Sequence, residues 1–429
     1  MDSSLMMIAL GLLVVATFSK KLSGTPVTVA MAFVAMGILV GPQFIDDIDV
    51  DSTGSAVRIL AEATLALVLF SDASRISLGE LRREASVPAR LLGIGLPLTI
   101  IFGTVVAALL FDEITIGEAI VVGVILAPTD AALGQAVVTS KKVPGRIRQG
   151  LNVESGLNDG ICVPLLFAAV AAADIESNIA NGRSAFHLLG EEIGFGILAG
   201  VAAGLLIARI ILVAGKWNLI TGTWKQVVPA AGAALAYGLA DTLGGSGFIA
   251  AFVAGMAFHI GLKGDPKHLN RLTDEVGSTL SGVTLMIFGA VLLGPMIAEI
   301  TWQVAFYAVL SLTVIRMVPV AIAMIGSGAR APTVGFLGWF GPRGLATIVF
   351  AIIIIEESSL PHQSLLVQIA YVTVGLSVLV HGLTASPLAV RYGKWFKANG
   401  KRDQSMEGVP GAVSRPRAAV LDESDSPGR

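Results

Sequence analysis

The chain has 429 residues, of which 54% are hydrophobic and 14% charged, whereas an ordinary soluble domain carries about 25% charged residues. No polar stretch of domain size separates the apolar runs, which excludes a soluble architecture and leaves an all-α polytopic membrane protein. The formal net charge of -2 hides an uneven distribution of sign, and the single cysteine, Cys162, excludes an intrachain disulfide and fits no Cys/His spacing for zinc.

In chain order, apolar segments long enough to cross a bilayer fall near 4-19, 25-41, 55-72, 88-111, 117-138, 150-173, 188-214, 226-241, 246-262, 276-298, 301-326, 333-355 and 363-390. Thirteen transmembrane helices are therefore expected. The first run is followed by Lys20 and Lys21 rather than preceded by basic residues, so it reads as a retained helix and not as a cleavable leader. Connectors alternate in sign: Lys20 and Lys21, then the acidic DDIDVD at 46-51, then Arg75, Arg82, Arg83 and Arg90, then Asp112 and Glu113, then Lys141, Lys142, Arg146 and Arg148. Basic residues crowd one side, whereas the other carries Arg58 and Arg183. The positive-inside rule then places the N-terminus outside and the C-terminus inside. A transmembrane domain over 1-397 is expected, followed by a polar, Ser/Pro/Gly-rich cytoplasmic tail over 398-429 that is expected to be disordered.

Two segments contain breaks that a plain membrane helix does not need. Segment 5 holds Ala127-Pro128-Thr129-Asp130, and segment 12 holds Gly341-Pro342-Arg343-Gly344. Pro128 and Pro342 each remove a backbone donor and clash with the preceding turn. Each break lies in the fifth helix of a six-helix unit, with repeat 1 over about 4-173, repeat 2 over about 226-390 and a linking helix over about 188-214. An odd offset between the units makes them inverted repeats, in which broken helices 5 and 12 meet near the midplane and build an ion site.

Segment 6 supplies the chemistry, in the stretch NVESGLNDG over 152-160. At about 100° per residue, Asn158, Ser155 and Asp159 lie near 40°, 100° and 140° from Glu154, on one arc. Ser155 and Asn158 alone would be ordinary interhelical glue. Asp159 beside Asp130 is different, because an ionised carboxylate in hydrocarbon costs several kcal/mol and must be neutralised by a proton, a cation or a base. Burial raises a carboxyl pKa and so favours the proton, while oxygen ligands from Asp159, Asp130, Ser155 and the freed carbonyls at Thr129 suit a hard alkali cation. Competition between proton and cation for Asp159 gives obligatory exchange. Arg343 calls for a carboxylate in the same cavity, and Glu154 is the expected partner. Arg316 has no assigned role beyond a structural pair, and Glu62, Asp72 and His259 are interfacial or undetermined. Gly156 and Gly160 form a GxxxG expected to admit a neighbouring backbone. His362 and His381 read as isolated, and no nucleophile and base pair or metal-ligand set marks an enzyme.

Pro128-Thr129-Asp130, the ESGLNDG element over 154-160 and Gly341-Pro342-Arg343-Gly344 together resemble the monovalent cation/proton antiporter superfamily, in its Asn-Asp (NhaP, sodium/proton exchanger) branch. The resemblance covers residues 4-390. It implies a homodimer whose protomers each have a dimerisation domain and a core domain that moves like an elevator, with Asp159 as ion and proton carrier. It also implies that Thr129, Asp130, Ser155 and Asn158 belong to the cation site, that Glu154 pairs with Arg343, and that an acid of segment 3, here Asp72, faces the site. With Asn at 158 it further implies electroneutral exchange, one proton for one cation. The expected substrates are H+ and Na+ or Li+, with K+ as a further candidate, in a cell membrane and its lipid bilayer. No cofactor and no nucleic acid is expected. The rival reading from another class is a passive cation channel without proton coupling.

Overall fold

The computed structural model describes residues 2–22, 25, 27–41, 54–75, 86–130, 132–140, 142–176, 182–262 and 266–399. The acidic connector at 46-51 and the tail beyond 399 lie outside these residues. Among those described, every regular element is a helix and no strand forms. The first half comprises α1 Asp2–Leu22, α2 Val29–Val40, α3 Gly54–Ser74, α4 Ser86–Leu110, α5 Ile116–Ile125, α6 Gln135–Val138 and α7 Gly145–Glu176. The second comprises α8 Gly182–Lys216, α9 Gly222–Thr242, α10 Gly247–Leu262, α11 over 267–299, α12 Trp302–Ala323, α13 Ala331–Trp339, α14 Leu345–Glu357 and α15 Gln363–Asn399.

Among the described residues six helices, α4, α7, α8, α11, α12 and α15, are long and apolar enough to cross a membrane, and α2, α5, α10 and α14 are shorter apolar helices. Their starts are written locally. Thr28 accepts the Met31 N–H at α2 and Thr301 accepts the Val304 N–H at α12, both at 3.3 Å, and Thr115 with Glu118 forms a reciprocal capping box at α5. Gly244, at φ 75°, ends α9 with a left-handed residue that only glycine adopts without penalty.

Without a hydrophobic difference between helix and lipid, close backbone approach and dispersion hold membrane helices together. α8 shows this at two positions one turn apart: a Cβ added at Gly196 would stand 2.9 Å from the Ser246 carbonyl, just before α10, and one at Gly200 would stand 2.6 Å from the Ala250 carbonyl of α10. The segment expected as a mere link is thus packed backbone to backbone on α10, and Ala199, Ala203 and Ile207 share a buried cluster with Phe70 of α3. Its opposite face keeps Leu198 and Leu206 exposed at 65% and 50%, as a lipid-facing stripe would be. The largest buried cluster instead gathers α5, α7, α14 and α15 around the two places where helices stop.

Candidate cation site

Between α5 and α6 the chain leaves the helix around Pro128, and between α13 and α14 it does so around Pro342. The two interruptions are hydrogen-bonded to each other. Asp130 N–H donates to the Pro342 carbonyl at 2.8 Å. Arg343 Nη1 donates to the Ala127 and Pro128 carbonyls at 3.0 and 3.2 Å, and Thr347 Oγ1 donates to the Ile125 carbonyl at 2.9 Å. In the other direction the Asp130 carboxylate accepts the Leu345 N–H at 3.0 Å and the Ala132 N–H at 2.7 Å.

The reason lies in the helix ends. The end of a helix leaves carbonyls without partners and a partial negative charge, and its start leaves N–H groups and a partial positive charge. In lipid no water can satisfy them. Here the cation Arg343, fully buried, covers the carbonyls that end α5, and the anion Asp130 covers the N–H groups that begin α14 and lead into α6. The glycines of Gly341-Pro342-Arg343-Gly344 make room for this: a Cβ at Gly344 would collide with the Asp130 carboxylate, and one at Gly341 would collide with the Arg316 guanidinium.

α7 runs past this crossing and places Glu154, Ser155, Asn158 and Asp159 on it, all 8% exposed or less. Thr129, in the first break, is the point of contact. Its Oγ1 lies 3.0 Å from Ser155 Oγ and accepts the Asn158 Nδ2 at 2.7 Å, while Asn158 Oδ1 is buried with no hydrogen-bond partner among the described residues. The result is a buried cage of two hydroxyls and an amide, to which the neighbouring Asp159 adds a carboxylate on the same stretch of α7. Asp72 of α3 lies against α7, its Cβ 3.4 Å from where a Cβ of Gly156 would stand.

Several expected contacts fall elsewhere. Glu154 pairs with Arg316 of α12, Nη1 to Oε1 at 2.6 Å and both 2% exposed, rather than with Arg343, which the α5 carbonyls occupy. Arg343 keeps Nε and Nη2 buried without a hydrogen-bond partner among the described residues. Gly156 and Gly160 admit side chains and not a backbone: Gly156 faces Asp72, and Gly160 faces the Phe252 ring of α10. His362 is not isolated, since its Nδ1 and N–H lie 2.9 and 2.8 Å from the buried Glu118 carboxylate. Glu62 accepts from Arg58 at 2.7 Å and from the Tyr237 hydroxyl at 3.0 Å, and His259 Nδ1 lies 2.7 Å from the Ser74 carbonyl. The sequence signal for the Arg316 contact is Gly341, where the lack of a side chain lets a guanidinium approach the second break.

The family profile described as "Sodium/hydrogen exchanger, transmembrane" matches residues 7–391. The chain belongs to the sodium/hydrogen exchanger family. Within this exchanger family it is 26% identical over 371 residues to the K(+)/H(+) antiporter NhaP2 of Shewanella oneidensis, a match covering 85% of this chain and 62% of that protein. It is 30% identical over 155 residues to a Na(+)/H(+) antiporter of Schizosaccharomyces pombe, covering 35% of this chain and 33% of that one. The chain thus spans about three-fifths of the length of the bacterial relatives it matches. Its exchanger fold is similar to that of the sodium proton antiporter MjNhaP1 from Methanocaldococcus jannaschii at pH 8, with a TM-score of 0.71 and 17% identity over 89% of this chain and 99% of that one.

Proposed function

We propose that the chain is a secondary antiporter that exchanges H+ for a monovalent cation, with the two competing for Asp159. The observation that carries this reading is the buried cage of Thr129, Ser155, Asn158 and Asp159 where the two broken helices cross. A carboxylate in such a place must be loaded to be tolerated, so alternating access proceeds with either a proton or a cation bound and not with neither.

The surrounding charges favour electroneutral exchange. Glu154 and Asp130 are acidic and Arg316 and Arg343 basic, so these four formal charges cancel and the load on Asp159 sets the charge of the unit. Thr129 and Ser155 contribute ligand oxygens. Asp130, engaged by backbone N–H groups, acts chiefly by holding the crossing together. Asp72 lines the approach. The thirteen apolar segments are thirteen spans in two inverted repeats, 4-173 and 226-390, with the first helix starting outside, the last ending inside and 398-429 forming the tail. The molecule works as a homodimer in the bilayer of a cell membrane.

Relatives named for K+ and for Na+ make both cations candidates, with Li+ beside them. In inside-out vesicles carrying a preset pH gradient, addition of the transported cation should dissipate the gradient. Asp159→Asn should reduce that response to background. Full exchange in this variant would overturn the carrier role, and cation current without proton movement would instead mark a channel.

A further inference from the structure

The second break is fastened from behind by two residues of α15. His381, 1% exposed, places Nε2 2.9 Å from the Trp339 carbonyl. Ser377, one turn earlier and fully buried, accepts the Arg343 backbone N–H at 2.7 Å, and its Oγ lies 3.2 Å from His381 Nδ1. The Trp339 and His381 rings are in contact, with centroids 5.5 Å apart.

His381 Nδ1 also lies 3.1 Å from the Ser377 carbonyl, so each ring nitrogen faces a carbonyl and Nδ1 faces the Ser377 hydroxyl besides. In the neutral tautomer that carries its hydrogen on Nε2, His381 donates to the shorter of these contacts, the Trp339 carbonyl, and Nδ1 accepts. Ser377 Oγ, already accepting from Arg343, has its own hydrogen left to donate to Nδ1. In this tautomer the bonds form one directed chain: Arg343 N–H to Ser377 Oγ, Ser377 O–H to His381 Nδ1, His381 Nε2–H to the Trp339 carbonyl. It spans the break from the last residue of α13 to the residue whose side chain holds the end of α5.

We infer that His381 and Ser377 are positioning residues of the exchange site: they fix the 339–343 segment and, through Arg343 and Pro342, the placement of Thr129 over Ser155 and Asn158. This rests on the exchange reading above. The path is continuous in hydrogen bonds, since Arg343 binds Ala127 and Pro128, Pro342 binds Asp130, and Thr129 stands between them with its hydroxyl on α7. A loosened segment displaces Thr129 and weakens cation binding without touching Asp159.

The test is cation-dependent dissipation of a pH gradient in vesicles containing the full chain, with apparent KM and maximal rate measured separately. His381→Ala and Ser377→Ala should each raise apparent KM for the transported cation about fivefold, the size of one buried neutral hydrogen bond. The double variant should show much less than the product of the two effects, because both act through one chain. His381→Gln, whose amide N–H can still reach the Trp339 carbonyl, should recover part of the loss. A thermal midpoint in detergent lowered with KM unchanged would overturn the proposal in favour of plain packing, as would multiplicative single effects. If His381→Ala yields no folded protein, Ser377→Ala carries the test alone, because it removes one hydroxyl, and an unchanged KM there overturns the proposal. Absence of exchange in the wild-type chain would instead strike the exchange reading itself.

Discussion

The two interruptions look alike in sequence, each a proline within two residues of a charged one in an apolar segment, yet the molecule uses them differently. The first presents side chains to α7, with Thr129 meeting Ser155 and Asn158. The second presents none of its own to that cluster; it supplies the Arg343 guanidinium, a proline carbonyl and two glycines that let other groups approach. One break is built to touch a ligand, the other to hold the first in shape. Similar backbone lesions can therefore divide the labour of a site between chemistry and support.

The support is where the largest effects are expected. Arg316→Met leaves Glu154 buried without its cation, and breaking such a pair costs about 3–5 kcal/mol. The thermal midpoint in detergent should fall sharply, and adding Glu154→Gln should restore much of it, since the pair together is worth less than either stranded charge. A midpoint untouched by Arg316→Met would mean that Arg343 holds Glu154 after all. Next in size is Asp130, which joins the halves. Asp130→Ala strands the Leu345 and Ala132 N–H groups at roughly 1–3 kcal/mol each, whereas Asp130→Asn keeps an acceptor oxygen. Exchange assayed in vesicles should survive better in the Asn variant than in the Ala variant, and equal loss in both would show that the charge itself is the requirement. The smallest change is on the ligand side. Thr129→Ser keeps the hydroxyl and should leave apparent cation affinity close to wild type, while Thr129→Val removes about one net hydrogen bond, about 1 kcal/mol, and should weaken it several-fold. A Val variant indistinguishable from wild type would remove Thr129 from the cage.

How much of this could be read beforehand follows from the range of the forces involved. Pro128 and Pro342 announce the breaks because proline acts on its own turn, and Glu154, Ser155, Asn158 and Asp159 announce a shared helix face because that face is set by a local period. The partner of Glu154 could not be read in the same way. Arg316 and Arg343 are both basic residues in apolar segments, and only the packing of α12 against the second break, through Gly341, decides between them. Gly156 and Gly160 illustrate the same limit: their spacing reports that something comes close, and whether it is a backbone or the Phe252 ring is a tertiary fact. His381 was within reach, since Ser377 and His381 sit four apart on an apolar helix and so share a face, a pairing easily missed when histidines are considered one at a time. α8 shows the converse, as its Gly196-Gly200-Gly204 spacing already carries the α10 contact that a reading of it as a connector overlooks.

The bond from Leu345 to Asp130 joins positions 215 apart in the chain, and Gly344 exists as a glycine because Asp130 stands where its side chain would be. For heredity, these two distant codons form a single locus. A change at one is judged by what occupies the other, so Asp130 and Gly344 should drift together or not at all. A catalogue of variants scored one position at a time would misjudge both.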